Sequence, residues 1–517
     1  MAAVIISNEK FCKLMAKRTR ILLGAAQYLT QHKAVRETLT RPLVGEFLSQ
    51  ATQIEELLDA YGARNNKHWH TFRLLTATIK LFSNVSYELL HILHALPAYR
   101  LLPVGQDFAK ATEQTLDFTA SVLSCAAEQM LSHVQQLHLP VRTAERRKES
   151  YVEQLPSGRL PQDHTTRKTE TVSKTVTLLA TAFLNLAAES KQVLPAGLIQ
   201  PQNYTGTMPG PISEENLRSL ELRFHNLQSL YDTYVSKTEM EELDEDLPVL
   251  RGHISVVFHL LRIATEFAHY YERHVESQLN GCSAQDSPLV KSEELLVVLT
   301  GYPINFVNQY LNCAKLLCQN MLKRYAELGE IEVPVPQYRG FHVRPSTLIS
   351  KLVLHYGSNI QMELTEKCYN AGLPLELFRA NEVINARKRK WLAEEIVRLN
   401  LVPAQTDTSD IKSIIRNVIL TLAEHSKLVI YEHPLQIEDK GPQKQTKLLQ
   451  QVTDEIARLQ VTGKIDIGTD LKVKFTGDKR VLDDIKLLAE SGYGEDNFGN
   501  NIPLPKELTY LRQQTWL

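Results

Sequence analysis

The feature that most limits the fold of this 517-residue chain is a single change in the spacing of its apolar residues. Up to about residue 329, apolar side chains recur every three or four positions, which is the pattern of an amphipathic helix. Beyond that point, short β-branched runs alternate with helical segments. The sequence therefore predicts a multidomain protein, in which a large all-α N-terminal region is followed by a smaller α/β domain.

The all-α region is expected to contain two groups of four helices. We assign residues 1–140 to the first half of a helical bundle, 141–169 to a polar linker and 170–329 to the second half. Short matches between the two halves suggest a diverged duplication, and a shared helical composition is the alternative explanation. The expected helices lie at 8–39, 43–61, 67–95, 106–137, 168–193, 213–238, 248–278 and 289–328.

Charge and cysteine content exclude several classes of protein. Lysine and arginine number 58 against 59 aspartates and glutamates, so no bulk field attracts nucleic acid or anionic lipid. The longest uncharged apolar stretch, Thr175 to Ala188, is shorter than the roughly 18 residues that span a bilayer. The six cysteines show no paired Cys-x-x-Cys spacing. We expect a cytoplasmic protein with no cofactor, no nucleic-acid partner and no membrane insertion.

The clearest chemical signal lies where a predicted strand gives way to a predicted helix. Residues 338–346 read Tyr-Arg-Gly-Phe-His-Val-Arg-Pro-Ser, which places His342 just before the helix. Backbone N–H groups at a helix start have no intrahelical partner, and together with Arg344 and the helix dipole they favour an anion. A neutral imidazole is a nucleophile toward phosphorus near neutral pH. The pattern therefore indicates a phosphohistidine site.

The segment Gly340-Phe341-His342-Val343-Arg344-Pro345-Ser346 resembles the Gly-Leu-His-x-Arg-Pro-Ala signature of HPr, the histidine-containing phosphocarrier of the bacterial phosphotransferase system. The resemblance implies an open-faced β-sandwich of order β-α-β-β-α-β-α over residues 330–492. It also implies that His342 accepts the phosphoryl group. Arg344 would bind the phosphoryl oxygens, helped by N–H donors from Val343 onward.

The predicted elements fit that order when an insertion at about 400–463 is set aside. One short strand, at 464–467, is then surplus, and residues 493–517 form a C-terminal tail. The expected strands lie at 331–336, 359–364, 373–379, 427–432, 464–467 and 471–476, and the expected helices at 344–356, 382–399, 409–424, 442–460 and 478–490.

The resemblance also implies a partner surface on the first two helices of the domain. Its expected donor is the first enzyme of the phosphotransferase system or a similar phosphodonor protein. Residues 387–390 of the second helix are all basic, and the alternative interpretation of this run is a solvated helix face. Many HPr proteins carry a regulatory serine at the start of that helix, where this chain has Asn381, Asn385 and Ala386. The candidate partner-binding residues are Phe341, Leu348, Lys351, Leu352, Arg387, Lys388 and Trp391.

These observations predict a regulatory phosphoacceptor that signals through its helical region to a protein partner. A non-catalytic scaffold that retains an HPr-like module, with possible homo-oligomers, is the alternative. A third class comes from Glu88-x-x-His91 and Glu266-x-x-His269, which match the ligand pairs of dimetal helical bundles. Because no other helix offers an obvious matching glutamate, we predict no metal site.

Overall fold

The computed structural model describes residues 5–32, 35–137, 139, 151–153, 171–193, 210, 212–275, 289–402, 411–432, 434–437 and 448–511. The chain divides into two compact units, residues 1–318 and 319–517. The division lies slightly before the predicted change from the all-α region to the α/β domain, within the last helix of the N-terminal region.

The described residues of the first unit form helices and no strand, as the apolar spacing predicts. The helices are α1 Asn8–Arg18, α2 Arg20–Gln31, α3 Val35–Thr38, α4 Arg41–Ala60, α5 His70–Ala95, α6 Phe108–Gln136, α7 Val172–Val193, α8 Glu214–Tyr234, α9 Met240–Leu243, α10 Asp246–Tyr270, α11 Ser292–Leu299 and α12 Asn305–Arg324.

Two of the predicted helices are interrupted. The helix expected at 8–39 is broken at Thr19, which ends α1 and precedes α2. The helix expected at 289–328 is broken by a π-turn, Thr300–Ile304, that contains Pro303. Proline has no N–H to donate to the preceding turn, so the regular hydrogen-bond ladder cannot continue through it.

The core of the first unit is shared between the two predicted halves. Helix α5 lies against α4 and α6, and α10 lies against both α8 and α5. The Phe82 ring contacts Phe118 from the first half and Phe267 and Tyr270 from the second. The two halves therefore pack as one body, and the duplication stays a prediction.

Part of the predicted linker is packed. Tyr151 is buried, its carbonyl accepts a hydrogen bond from Thr40 Oγ1 at 2.7 Å, and its hydroxyl donates to Glu46. Glu153 forms an ion pair with Arg41 at the start of α4. The remainder of 141–169 lies outside the described residues.

One stretch of the described chain, Asp246–His274, is long and apolar enough to cross a membrane by length and composition. In its most apolar window, 72% of the residues are buried inside the protein. That degree of burial is typical of a core helix, so the stretch is weak support for a membrane span.

The second unit is built from a sheet, a second small sheet and flanking helices. Strands β1, β6, β2 and β3 form an antiparallel sheet in that order, and β4 pairs with β5. The elements are β1 Leu328–Pro334, α13 Val343–Tyr356, β2 Gln361–Leu364, β3 Lys367–Asn370, α14 Pro374–Arg398, α15 Ile411–Glu424, β4 Leu428–Ile430, α16 Leu448–Val461, β5 Ile465–Ile467, β6 Lys472–Asp478 and α17 Lys479–Glu490.

The strand predicted at 373–379 is wrong. Helix α14 begins there, because Pro374 occupies the first helical turn, where a missing N–H costs nothing. The actual strand, β3, pairs with β2 across a turn in which Thr365 and Glu366 both have positive φ. Such turns usually contain asparagine or glycine, so the sequence carried no hairpin signal here.

The predicted insertion folds as a packed layer, and the surplus strand belongs to it. Strand β5 pairs with β4, and α15 and α16 cover them together with the C-terminal half of α14. Leu392 and Ile396 of α14 are buried with Ile419 of α15 and Ile456 of α16. Without this layer the second unit has the order β-α-β-β-α-β-α.

The predicted C-terminal tail is also packed as far as Leu511. Leu508, Tyr510 and Leu511 are buried. The Tyr510 and Tyr356 hydroxyls both donate to Asp484 Oδ2, at 2.7 and 3.0 Å, which ties this segment to α13 and α17. Residues 512–517 lie outside the described chain.

Candidate functional site

The loop from β1 to α13 turns on two left-handed residues, Arg339 with φ 56° and Gly340 with φ 63°. Glycine adopts this conformation without a steric penalty. A side chain on Gly340 would also overlap Asn381 Oδ1. Both constraints favour the glycine that precedes His342 by two positions.

Asn381 of α14 holds the loop on both sides of this glycine. Its Oδ1 accepts from the Phe341 N–H at 2.9 Å, and its Nδ2 donates to the Arg339 carbonyl at 3.1 Å. The Phe341 ring is fully buried, and Ser346 Oγ donates to the Phe341 carbonyl at 2.8 Å. Asn381 thus orders the histidine loop, a role that the sequence pattern did not indicate.

His342 lies at the N-cap position of α13, where the sequence predicts it. The N–H groups of Val343 and Arg344 belong to the first turn and have no intrahelical acceptor, and Pro345 has no N–H. The imidazole is 24% exposed, so it is open to a reactant on one side. The positive end of the helix therefore lies beside a partly exposed imidazole.

Glu495 contacts the imidazole from the segment predicted to be a tail. His342 Nε2 lies 2.8 and 3.0 Å from the two carboxylate oxygens of Glu495, which is 3% exposed. An ionised carboxylate only accepts hydrogen bonds, so this pairing assigns the proton of the neutral ring to Nε2. The lone pair is then on Nδ1, which has no hydrogen-bond partner among the described residues.

Arg344 lies two residues from His342 with a donor that is not in use. Its Nε is buried without a hydrogen-bond partner in the described part of the chain. Gly494 leaves room for it, since a Cβ there would lie 3.4 Å from this nitrogen. The structure thus places Glu495 against His342, a contact that the sequence did not indicate, and it buries Arg344 Nε beside Gly494.

The insertion reaches the histidine through a pair of tyrosines. The Tyr338 ring lies edge-on to His342, with 5.4 Å between ring centroids, and also contacts Tyr431 at 4.9 Å. Tyr431 follows β4, and burial raises the pKa of its hydroxyl. The inserted layer is therefore part of the surroundings of the site.

A cavity of about 330 Å³ lies between the histidine loop, α14 and the inserted layer. We call it the His342 cavity. One wall contains Asp466, a buried carboxylate that accepts from Lys388 Nζ at 3.2 Å, Gln460 Nε2 at 3.1 Å and the Arg339 N–H at 3.1 Å. The residues that line the cavity are Arg339, Phe341, His342, Val343, Phe378, Asn381, Glu382, Asn385, Arg389, Gln460, Val461, Ile465 and Asp466.

Several candidate partner-binding residues are not on an exposed surface. Phe341 and Leu352 are fully buried in the second unit, and Leu348 is 8% exposed. Lys388 is 3% exposed because its ammonium group pairs with Asp466. For these four side chains, the prediction of an exposed docking position is wrong, since they stabilise the chain's own fold.

The other three candidates differ among themselves. Arg387 is exposed, as a docking residue must be. Trp391 packs against the inserted layer, with Lys427 Nζ 5.2 Å from its ring centroid. Lys351 is half-buried, and burial lowers its pKa.

The expected docking face of α13 is covered by the C-terminal segment. Leu348 and Lys351 line one wall of a second cavity, of about 510 Å³, whose other wall contains Ile502 and Leu511. A partner that docks on this face in the manner of the resemblance would have to displace residues 502–511.

The Glu-x-x-His pairs of the first unit lie at the contact of α5 with α10. Glu88 accepts from His259 Nδ1 at 2.7 Å and pairs with Arg262, and although burial opposes its charge, these contacts lower the pKa of Glu88. Asn84 donates to Glu266, and His269 lies 3.0 Å from Glu214. Among the described residues, no three potential ligands converge as a metal site requires.

Comparisons with protein-family models, with curated proteins and with solved structures gave no match to this chain. A function must therefore be inferred from the geometry around His342 and from the chemistry of its residues.

Proposed function

We propose that the chain is an HPr-like regulatory phosphoacceptor, phosphorylated on His342 in the cytoplasm. Its donor is the first enzyme of a phosphotransferase-type system or a similar phosphodonor protein, and its helical region transmits the signal to a protein partner. The observation that carries the proposal is the geometry of His342. His342 lies at the start of α13, and its Nε2 is hydrogen-bonded to Glu495. Its Nδ1 has no hydrogen-bond partner among the described residues.

The proposed reaction is an in-line phosphoryl transfer. The Nδ1 lone pair attacks the donor phosphorus, an N–P bond forms, and the bond to the leaving atom of the donor breaks as that atom takes the electron pair. The ring gains positive charge in this step. The buried Glu495 carboxylate, which accepts the Nε2–H, offsets that charge.

The negative charge of the phosphoryl group requires donors on the opposite side. The N–H groups of Val343 and Arg344 in the first turn of α13 are the proposed donors for its oxygens. Arg344 Nε is buried without a partner among the described residues, so it can join them only if the Arg344 side chain turns toward the phosphoryl group. A charge-assisted hydrogen bond of this kind contributes about 1.5–3 kcal/mol. We therefore assign phosphate binding to Val343 and Arg344.

The order of elements around the loop supports the same proposal. His342 lies between the first strand and the first helix of the unit, and β-α-β-β-α-β-α is the order that remains without the inserted layer. The covered face of α13 indicates a difference from an ordinary carrier, because free docking requires an exposed face. This difference favours a regulatory role over bulk phosphate carriage.

The test is incubation of the full chain with phosphoenolpyruvate and a phosphotransferase-system first enzyme. We expect an acid-labile phosphoryl adduct that is lost in His342→Ala and kept in His425→Ala, since His425 is an exposed histidine of the same unit. Absence of an adduct under conditions that label an ordinary HPr would contradict the proposal.

A second candidate is a non-catalytic oligomerising scaffold with an HPr-like module, because the covered face of α13 hinders docking of a phosphodonor. A scaffold would assemble equally well with and without a phosphorylatable histidine. Static light scattering of the wild type and of His342→Ala tests this, and a monodisperse monomer at high concentration would count against it.

A further inference from the structure

The His342 cavity has more positive charge in its wall than the surrounding fold neutralises. Two guanidinium groups line it, those of Arg339 from the histidine loop and Arg389 from α14. Two carboxylates, Asp466 and Glu382, line it as well. Whether the cavity favours an anion depends on which of these charges are already paired.

The Asp466 charge is matched within the fold. Its carboxylate pairs with Lys388 Nζ at 3.2 Å, and both side chains are at most 4% exposed. Glu382 and Arg339 are both exposed, so water screens both of these charges. The buried pair is neutral as a unit, which leaves Glu382 as the one lining carboxylate that is not matched by a buried cation.

Neither guanidinium has an ion pair among the described residues. Arg389 Nη1 donates to the neutral amide oxygen of Gln460 at 3.2 Å, which does not compensate its charge. The Arg339 side chain has no hydrogen-bond or ion-pair partner in that part of the chain, although its backbone N–H donates to Asp466 and its carbonyl accepts from Asn381. The cavity wall therefore has a net positive charge, next to the first turn of α13.

The inserted layer positions Arg339. A Cβ at Gly463 would lie 2.8 Å from the Arg339 guanidinium carbon, so the group rests directly against the backbone of this glycine. Gly463 has φ 72°, which also favours glycine. This placement needs the insertion, so the cavity is not part of what the resemblance implies.

The size and polarity of the cavity suit a small molecule. Its volume of about 330 Å³ is at the lower end of the range for ligand pockets. Phe378 provides a partly exposed ring on one wall, and Asn385 provides amide atoms. A guanidinium group binds phosphate oxygens with well-defined geometry, through two parallel N–H donors.

We infer that the His342 cavity binds a small phosphorylated metabolite, whose phosphate pairs with Arg339 and Arg389 and whose carbon skeleton lies against Phe378. This ligand class is additional to the protein donor of the proposed function. The binding itself needs only the cavity. Any effect of the ligand on phosphorylation of His342 rests on the proposed function.

Isothermal titration calorimetry of the full chain tests the inference, with phosphoenolpyruvate and 3-phosphoglycerate as probes and inorganic phosphate as the comparison. We expect saturable one-to-one binding of at least one organic probe, with inorganic phosphate at least about tenfold weaker. The double variant Arg339→Met/Arg389→Met should weaken that binding by about tenfold or more. Lys390→Met is the control, since it removes a positive charge from an exposed position on the helix of Arg389 that does not line the cavity.

Three results would overturn the inference. The first is no binding of either organic probe at about 10 mM, well above the usual range of metabolite affinities. The second is equal binding in the double variant, with its folding verified by circular dichroism. The third is equally tight binding of inorganic phosphate, which would mark a simple anion site.

The calorimetry separates this inference from the proposed function. Probe binding without a His342 adduct in the first-enzyme assay would support the cavity site and contradict the phosphoacceptor. An adduct without probe binding would support the phosphoacceptor and assign the two arginines to recognition of the protein donor, which would overturn the inference.

Discussion

At the scale of single residues, Glu495 has the largest consequence for His342. A buried carboxylate 2.8 Å from Nε2 fixes the tautomer and the orientation of the ring. The two residues are 153 positions apart, and one sequence has no signal that connects them. His342, Arg344 and Gly340 could be predicted because the chemistry of a helix start is local, whereas Glu495 and Asn381 reach the loop through tertiary packing.

We therefore predict that Glu495→Ala slows phosphorylation of His342 by about 10- to 100-fold, the usual effect of losing the partner that orients a functional histidine. Glu495→Gln should retain part of the rate, because its amide oxygen can still accept the Nε2–H. The initial rate of adduct formation measures both. Glu490→Ala, an exposed glutamate at the end of α17, is the control, and an unchanged rate in Glu495→Ala would refute the assigned role.

At the scale of elements, most helices follow from apolar spacing, and the errors have local causes. Pro374 starts α14 where a strand was expected, and the hairpin of β2 and β3 turns at Thr365 and Glu366, which are not typical turn residues. The packing of the inserted layer and of residues 493–511 depends on contacts with distant elements. For that reason the sequence pattern predicted an insertion and a tail, and it did not indicate that both lie next to the candidate site.

The C-terminal segment provides a prediction at this scale. Tyr510→Phe removes one of the two hydroxyls that donate to Asp484, at the point where residues 506–511 meet α13 and α17. We expect the free energy of unfolding to fall by about 0.5–1.5 kcal/mol, and amide exchange in α13 to become faster.

Urea unfolding and hydrogen–deuterium exchange measure these two effects. Thr509→Val, which removes an exposed hydroxyl from the same segment, residues 506–511, is the matched control. Unchanged exchange in α13 of the Tyr510 variant would mean that the segment does not protect this helix.

At the scale of the whole molecule, the two units differ in what their buried polar groups do. In the second unit, Asn381, Asp466 and Glu495 lie around the candidate site, whereas in the first unit Glu88 and His259 join α5 to α10.

The first unit also buries a titratable side chain, that of His274, which follows α10 and is 5% exposed. Burial, together with the charge of His269, lowers the pKa of His274 to about 3. Its neutral form is therefore favoured by folding.

The sign of the resulting pH dependence follows from this shift. The folded-state pKa of His274 is below that of the unfolded chain, so the unfolded chain binds more protons between about pH 6.5 and pH 3. Above that pH window, His274 does not lower the free energy of unfolding. Within the window, its titration lowers the free energy of unfolding by up to about 1.4 kcal/mol per pH unit.

We expect His274→Phe to resist acid unfolding better than the wild type, because phenylalanine keeps the ring contact with Tyr270 and does not titrate. Circular dichroism at a series of pH values gives the midpoint of acid unfolding. The exposed-site variant His225→Gln should unfold like the wild type, and an unchanged midpoint in His274→Phe would contradict the assignment.

Phosphorus-31 NMR of the full chain, after incubation with phosphoenolpyruvate and a phosphotransferase-system first enzyme, shows whether His342 accepts a phosphoryl group. We expect one protein-bound phosphoramidate resonance that disappears on acidification and is missing in His342→Ala. A spectrum without that resonance, or a resonance that persists in His342→Ala, would contradict the assignment of His342 as phosphoacceptor.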